Sequence, residues 1–167
     1  VASRPVEDLT TTGEVPLPAA YPPEWDADVV LADGGTVRVR PIRPDDAPGL
    51  VALFDRLSRH TAYQRFFSVL KRLPPAYAKV FANVDYRQRL AIVAELVGPA
   101  GPELIGVGRY APADAPDGTP GAVPAAVPSS VEVAFVVQAA WQGRGLGTIL
   151  LDAVLRAAVA RGVRQFR

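Results

Sequence analysis

The stretch from Val131 to Arg161 restricts the fold more than any other part of the chain. An apolar run, VEVAFVVQ, leads through Ala139-Ala140-Trp141 to three glycines at alternate positions, Gly143, Gly145 and Gly147, with Arg144 among them. Leu146, Leu150, Val154 and Ala157 then recur at helical spacing. The order predicts a strand, a glycine-rich turn and a helix from about Gly145 to Arg161. Such a turn sets the unpaired N–H groups of a helix's first turn, with about half a positive charge, beside a backbone that an anion can touch. That is the design of a phosphate cradle. Two familiar versions do not fit: no lysine follows the last glycine as a P-loop requires, and the spacing is not the Gly-x-Gly-x-x-Gly of a dinucleotide fold. A β meander, moreover, precedes the strand where a dinucleotide fold would alternate β and α.

A chain of 167 residues, 49% hydrophobic, suits one globular domain, and a net charge of +1 leaves any anion to be held by local groups. Nucleic acid and anionic membranes are therefore not expected partners. Cysteine is absent, which excludes disulfides, thiolate nucleophiles and thiolate metal sites, and His60 is the only histidine. No metal is expected. There is no apolar run of membrane-spanning length, and the first 27 residues lack the order of a secretory signal, so a cytoplasmic location is expected. Sixteen arginines against two lysines, with abundant Ala, Val and Pro, resemble a GC-rich bacterial coding bias.

Residues 1–27, with prolines at 5, 16, 18, 22 and 23, read as a tail or linker whose end Tyr21 and Trp25 pin to a domain over 28–167. Strands are expected near 28–32 and 36–43 around the hairpin signal Asp33-Gly34-Gly35. Asp45 or Asp46 should cap a helix carrying Leu50, Leu53, Phe54 and Leu57, and Tyr63, Phe66, Phe67 and Leu70 share a further helical face. PPAYAKVFANV opens another helix on its prolines. RLAIVAELVG and ELIGVGRYAP read as antiparallel strands, Glu95 as an exposed strand residue, and 112–130 as a mobile excursion. Gly162 is the expected helix C-cap, with a strand beginning near the end of the chain.

The run Gln142-Gly143-Arg144-Gly145-Leu146-Gly147 resembles the Arg/Gln-x-x-Gly-x-Gly/Ala signature of the GNAT superfamily of acyl-CoA-dependent N-acyltransferases. The resemblance implies an α+β fold, a mixed, mostly antiparallel sheet flanked by helices, with acetyl-CoA as co-substrate. By position, Gln142, Gly143, Arg144, Gly145, Leu146, Gly147 and Thr148 would wrap the pyrophosphate, with Phe135, Val136 and Val137 as the pantetheine edge. An exposed, solvated Arg144 is the equal alternative. DGGTVRVRPIRPDDAPGLVALFDRLSRHTAYQRFF, with its Ser58-x-x-Thr61-x-Tyr63-x-Arg65-Phe66-Phe67 run, is similar to the domain in bacterial Pat-type protein lysine acetyltransferases. That likeness implies a protein lysine as acceptor, acyl-CoA synthetases being among the targets of the group.

Acetyl transfer needs a neutral amine, and a lysine amine near pKa 10.4 must first lose a proton. Glu132 is the only acid on the strand leading into the loop, on the face of Ala134 and Val136. It is the expected general base, with Glu95 in reserve; His60 reads as a surface or capping residue. A complete domain of this family continues past the cofactor helix with a strand, a helix and a hairpin that supply acceptor contacts and the tyrosine that protonates the thiolate. The chain is therefore expected to be a truncated domain whose exposed sheet edge invites dimerisation.

Overall fold

A computed structural model describes residues 16–57, 72–113, 128 and 130–167. Among them six strands form one sheet in chain order: β1 (Ala27–Val30), β2 (Thr36–Pro41), β3 (Leu90–Gly98), β4 (Gly101–Pro112), β5 (Ser130–Val137) and β6 (Gln165–Phe166). Neighbours from β1 to β5 are antiparallel, and β6 joins β5 in parallel at Ser130 and Val131. The β1–β2 turn forms at Asp33-Gly34-Gly35, where Gly34 takes φ +85° and the Leu31 N–H donates to the Gly35 carbonyl at 2.7 Å. Glycine suits that left-handed position because it has no Cβ to clash.

Among the described residues three helices flank the sheet: α1 (Ala47–Asp55), α2 (Pro75–Ala82) and α3 (Leu146–Ala160). Both α1 and α2 carry proline in the first turn, where a missing N–H costs nothing. On α3 the four residues at helical spacing, Leu146, Leu150, Val154 and Ala157, are all buried. They pack with Leu90, Ile92, Ile105 and Val131 on one face of the sheet. Ile42, Leu50, Leu53, Phe81, Val93 and Val107 form the core of the other face, under α1 and α2. The β3–β4 register slips at Ala94/Glu95, pairing Ala94 with Gly106 and Glu95 with Leu104, so Ile105 is the extra residue of a bulge.

One expectation holds in position only and another is corrected. Asp46 is the N-cap residue of α1 as expected, but its side chain makes no capping hydrogen bond to that helix. Its carboxylate turns back to accept the Arg43 N–H at 2.7 Å and two Arg40 hydrogen bonds at 2.8 Å. Glu95 is not an exposed strand residue; it is buried and bonded to Arg40. The reason is the same in both cases: Arg40, 3% exposed, needs two carboxylates to offset its desolvation. Burial works against its charge, but the hydrogen bonds and charges of Asp46 and Glu95 outweigh it and hold the guanidinium pKa above its ordinary value.

Of residues 16–26, Tyr21, Pro22 and Trp25 are buried or partly buried against the domain. Tyr21 is buried in the core of the α3 face and meets Tyr86 edge-to-face at 5.8 Å, and Trp25 packs beside it. Strand β4 runs to Pro112 and β5 starts at Ser130; most of the intervening excursion, and the face assigned to Tyr63, Phe66, Phe67 and Leu70, lie outside the described residues. His60 and the Ser58 to Phe67 run do also. At the far end, Gly162 takes φ +91° and follows α3 as expected.

Replacing Arg40 with Ala leaves the buried Glu95 and the largely buried Asp46 without their counter-charge, and should lower the unfolding free energy by about 3–5 kcal/mol in urea titrations. A loss below about 1 kcal/mol would show the cluster to be water-filled and dispensable. A second test uses Tyr86 and Tyr110, whose hydroxyls donate to the Ile42 and Arg87 carbonyls at 2.8 Å. Burial pushes both up to about 12 from 10.0. Their folded pKa values are raised, so their contribution is complete below pH 10 and is lost as pH rises toward 12. Tyrosinate absorbance should rise for these two together with loss of near-UV circular dichroism, not before it.

Candidate functional site

Helix α3 starts at the point where β5 ends, because a short connection turns the chain back under the sheet. After Val137 the chain makes one turn of 3-10 helix (Ala139–Trp141), passes Gln142 and enters the glycine loop. The three glycines then divide. Gly143 and Gly145 take φ +74° and +87°, and a Cβ on either would meet no atom within 4 Å. Left-handed backbone and open space are what a ligand-facing loop requires. Gly147 serves packing: a Cβ there would come within 3.3 Å of the Phe135 ring, so its absence lets the first turn of α3 sit on β5.

Gly145 is the N-cap of α3 and no side chain caps the helix. The N–H groups of Leu146, Gly147 and Thr148 therefore head the helix without an intrahelical acceptor, while Ile149 already donates to Gly145. The Leu146 side chain is buried among the core, so its contribution to the loop is its amide. Gln142 is exposed, and its Nε2 donates to the Val137 carbonyl at 2.9 Å, tying the loop to the end of β5.

Arg144 is fixed at the flank of the loop. Its Nη1 lies 3.0 Å from Asp33 Oδ2, its guanidinium carbon lies 4.6 Å from the centre of the Trp141 ring, and its carbonyl accepts the Ala32 N–H at 3.2 Å. The β1–β2 turn thus holds the loop by backbone and side chain. Nothing in the sequence marked this contact, since Asp33 had the look of a hairpin turn and nothing more.

Strand β5 sorts the remaining residues. Val131 and Val133 turn their peptide groups toward β6, through Arg167, which both donates to Val131 and accepts from Val133. By alternation Phe135 and Val137 aim theirs to that same side, and Val136 aims its own at Val107 of β4. The Val136 side chain is buried under α1 and α2. Glu132 shares its face, is exposed, and pairs in register with Ala111. At about 3.3 Å per residue, Glu132 lies roughly 16 Å up the strand from Val137. The loop and the carboxylate therefore stand at opposite ends of one strand. Glu95, the reserve base, is locked in the Arg40 cluster and lines the polar hollow between α1 and the β3–β4 turn.

Comparison with known proteins decides the family. Residues 58–166 match the acetyltransferase (GNAT) family model. The chain belongs to the GNAT family. It is 42% identical to the GNAT domain of S. lividans PAT, with a TM-score of 0.73 over 87% of this chain and 78% of that one. An acetyltransferase of Pseudomonas aeruginosa is 30% identical over 135 residues, 81% of this chain and 66% of that protein, so the chain spans a little under two thirds of that relative. The yncA structure from Salmonella typhimurium, solved with its cofactor acetyl-CoA, shares the fold at 18% identity and a TM-score of 0.55, covering 77% of this chain and 66% of that one. The α+β sheet seen here is the GNAT fold, as the sequence resemblance implied. Among the described residues no helix is long and apolar enough to cross a membrane.

The division of the glycines yields a prediction. Gly145→Ala puts a Cβ in open space but on left-handed backbone at a strain of about 1–2 kcal/mol. The loop should relax away from its present form, and acyl-CoA binding measured by calorimetry should weaken roughly 5–30-fold. Unchanged affinity would mean that the loop does not act through this backbone.

Proposed function

We propose that the chain carries out acetyl transfer from acetyl-CoA to an amine by direct attack in a ternary complex, with a protein lysine as the acceptor. The observation that carries this reading is the Gly143 to Thr148 loop, with two left-handed glycines facing open space and an uncapped helix start behind them. Those amides fit a pyrophosphate, which would neutralise the helix's positive end. Acetyl-CoA, when bound, supplies the activated thioester. The Phe135 to Val137 segment would flank the pantetheine arm, Gln142 would hold the loop closed, and Arg144 would add its charge.

Glu132 is assigned the general base. It is exposed on the strand that leads into the loop, so its carboxylate can take the ammonium proton directly or through a water. The freed amine nitrogen then forms the new N–C bond as the C–S bond breaks, and the proton that the nitrogen sheds in becoming an amide goes to the departing sulfur, which leaves as coenzyme A. Lysine is favoured as acceptor by the 42% identity to the GNAT domain of S. lividans PAT and by the Pat-type sequence run of residues 33–67.

Glu132→Gln keeps the shape of the side chain and removes the base. Turnover on a lysine peptide at neutral pH should fall about 10²–10⁴-fold. Acetyl-CoA affinity, measured by calorimetry, should stay within about twofold, because the carboxylate is remote from the loop. Full turnover in the variant would place the base elsewhere, and absence of acetyl-CoA binding by the unaltered protein would overturn the reading itself.

A further inference from the structure

From Val133 to Leu151, Arg144 is the only charged residue, so it supplies the sole side-chain charge of the cofactor loop. In this structure that charge is already matched. Asp33 Oδ2 lies 3.0 Å from Arg144 Nη1, and Asp33 Oδ1 accepts the Gly35 N–H at 3.0 Å, so both carboxylate oxygens are engaged. The Ala32 N–H to Arg144 carbonyl bond keeps the two segments together. Both side chains remain partly open to water, 40% for Arg144 and 43% for Asp33, so an arriving anion can reach the pair. An exposed ion pair of this kind contributes little to stability, and a phosphate offers a guanidinium the same charge-assisted, bidentate hydrogen bonds as a carboxylate.

We propose that Asp33 is an affinity-setting residue for the cofactor loop: it holds Arg144 when the loop is empty and gives it up to the phosphates of an acyl-CoA, so that binding is deliberately weakened by the exchange. Trp141 supports the exchange, since the guanidinium can slide on the ring face without losing that contact. The inference rests on the acyl-CoA reading above and adds a residue from the β1–β2 turn, 111 positions before Arg144. Weakened binding has a use in the reaction, because the spent coenzyme A carries the same phosphates as the substrate and must leave before the next turnover.

The test is Asp33→Asn, which keeps an oxygen for the Gly35 N–H and deletes the charge. Acetyl-CoA should bind about three- to tenfold tighter by calorimetry, with KM for acetyl-CoA falling in step, the unfolding midpoint unchanged. Asp33→Glu, which keeps the charge, should stay within about twofold of the unaltered protein. Combined with Arg144→Gln, the gain from Asp33→Asn should vanish, because the carboxylate then has no guanidinium to withhold. Equal or weaker binding by Asp33→Asn overturns the inference, as does a gain that Asp33→Glu reproduces or that survives in the Arg144→Gln background. Binding by the unaltered protein separates the two claims: with it present, these failures count against Asp33 alone; with it absent, the acyl-CoA reading and the Asp33 inference fall together.

Discussion

The site depends on how closely α3 lies against β4. Gly106 and Gly108 make that approach feasible: a Cβ on the first would come within 3.0 Å of Leu150 Cδ1, and on the second within 3.1 Å of Val154 Cγ2. Any side chain there would push the helix off the sheet. With the helix seated, Gly147 meets the Phe135 ring at its other end, and the start of α3 falls in line with the end of β5. Three small positions on two elements thus fix where the helix's amide groups point. Gly143 and Gly145 can remain open because the packing glycines carry the contact.

The opposite face is held by a different kind of interaction. Arg40 on β2 joins Asp46 at the entry to α1 with Glu95 at the β3 bulge, and all three are taken largely out of water. The charges do not balance in number, one cation facing two carboxylates, and the Arg43 N–H donates to Asp46 and so takes part of the remaining negative charge. At its far end α1 is tied by Arg56, which donates to the Leu104 carbonyl at 2.8 Å. A helix anchored at both ends gives the face of Glu132 a fixed wall. Hydrophobic burial alone would leave the helix free to slide along the sheet, whereas a directional charge cluster sets its register.

Much of this was legible because it is local. The Asp33-Gly34-Gly35 turn, the apolar face of α3, the strands either side of Gly98 to Gly101 and the left-handed Gly162 just past the Arg161 C-cap all follow from residues within one or two turns of each other. The loop was read through its spacing and the family through its motif. What escaped was contact at long range. Glu95 looked like an exposed strand residue since the only clue to its burial, Arg40, lies 55 positions earlier. Asp33 looked like turn chemistry, and Arg144 like an even choice between solvent and ligand, where the structure shows each holding the other. Gly106 and Gly108 did carry a signal: alternate glycines inside a strand mark a close approach of another element.

Strand β5 shows how one short segment divides its labour by parity. Its odd side chains, Val131 and Val137 among them, pack toward α3, while Val136 packs under α1 and α2 and Glu132 lies exposed on that same face. The peptide groups divide the other way, odd residues toward β6 and even residues toward β4. A carboxylate on one face and a backbone edge between faces are thereby set at fixed offsets along a rigid rod. Phe135 couples the two arrangements: its ring seats the first turn of α3 through Gly147, and its peptide groups face the side where the β5–β6 ladder has ended. Alternation with period two is what lets the exposed Glu132 carboxylate, the open backbone edge and the helix seat occupy the same eight residues without competing for space.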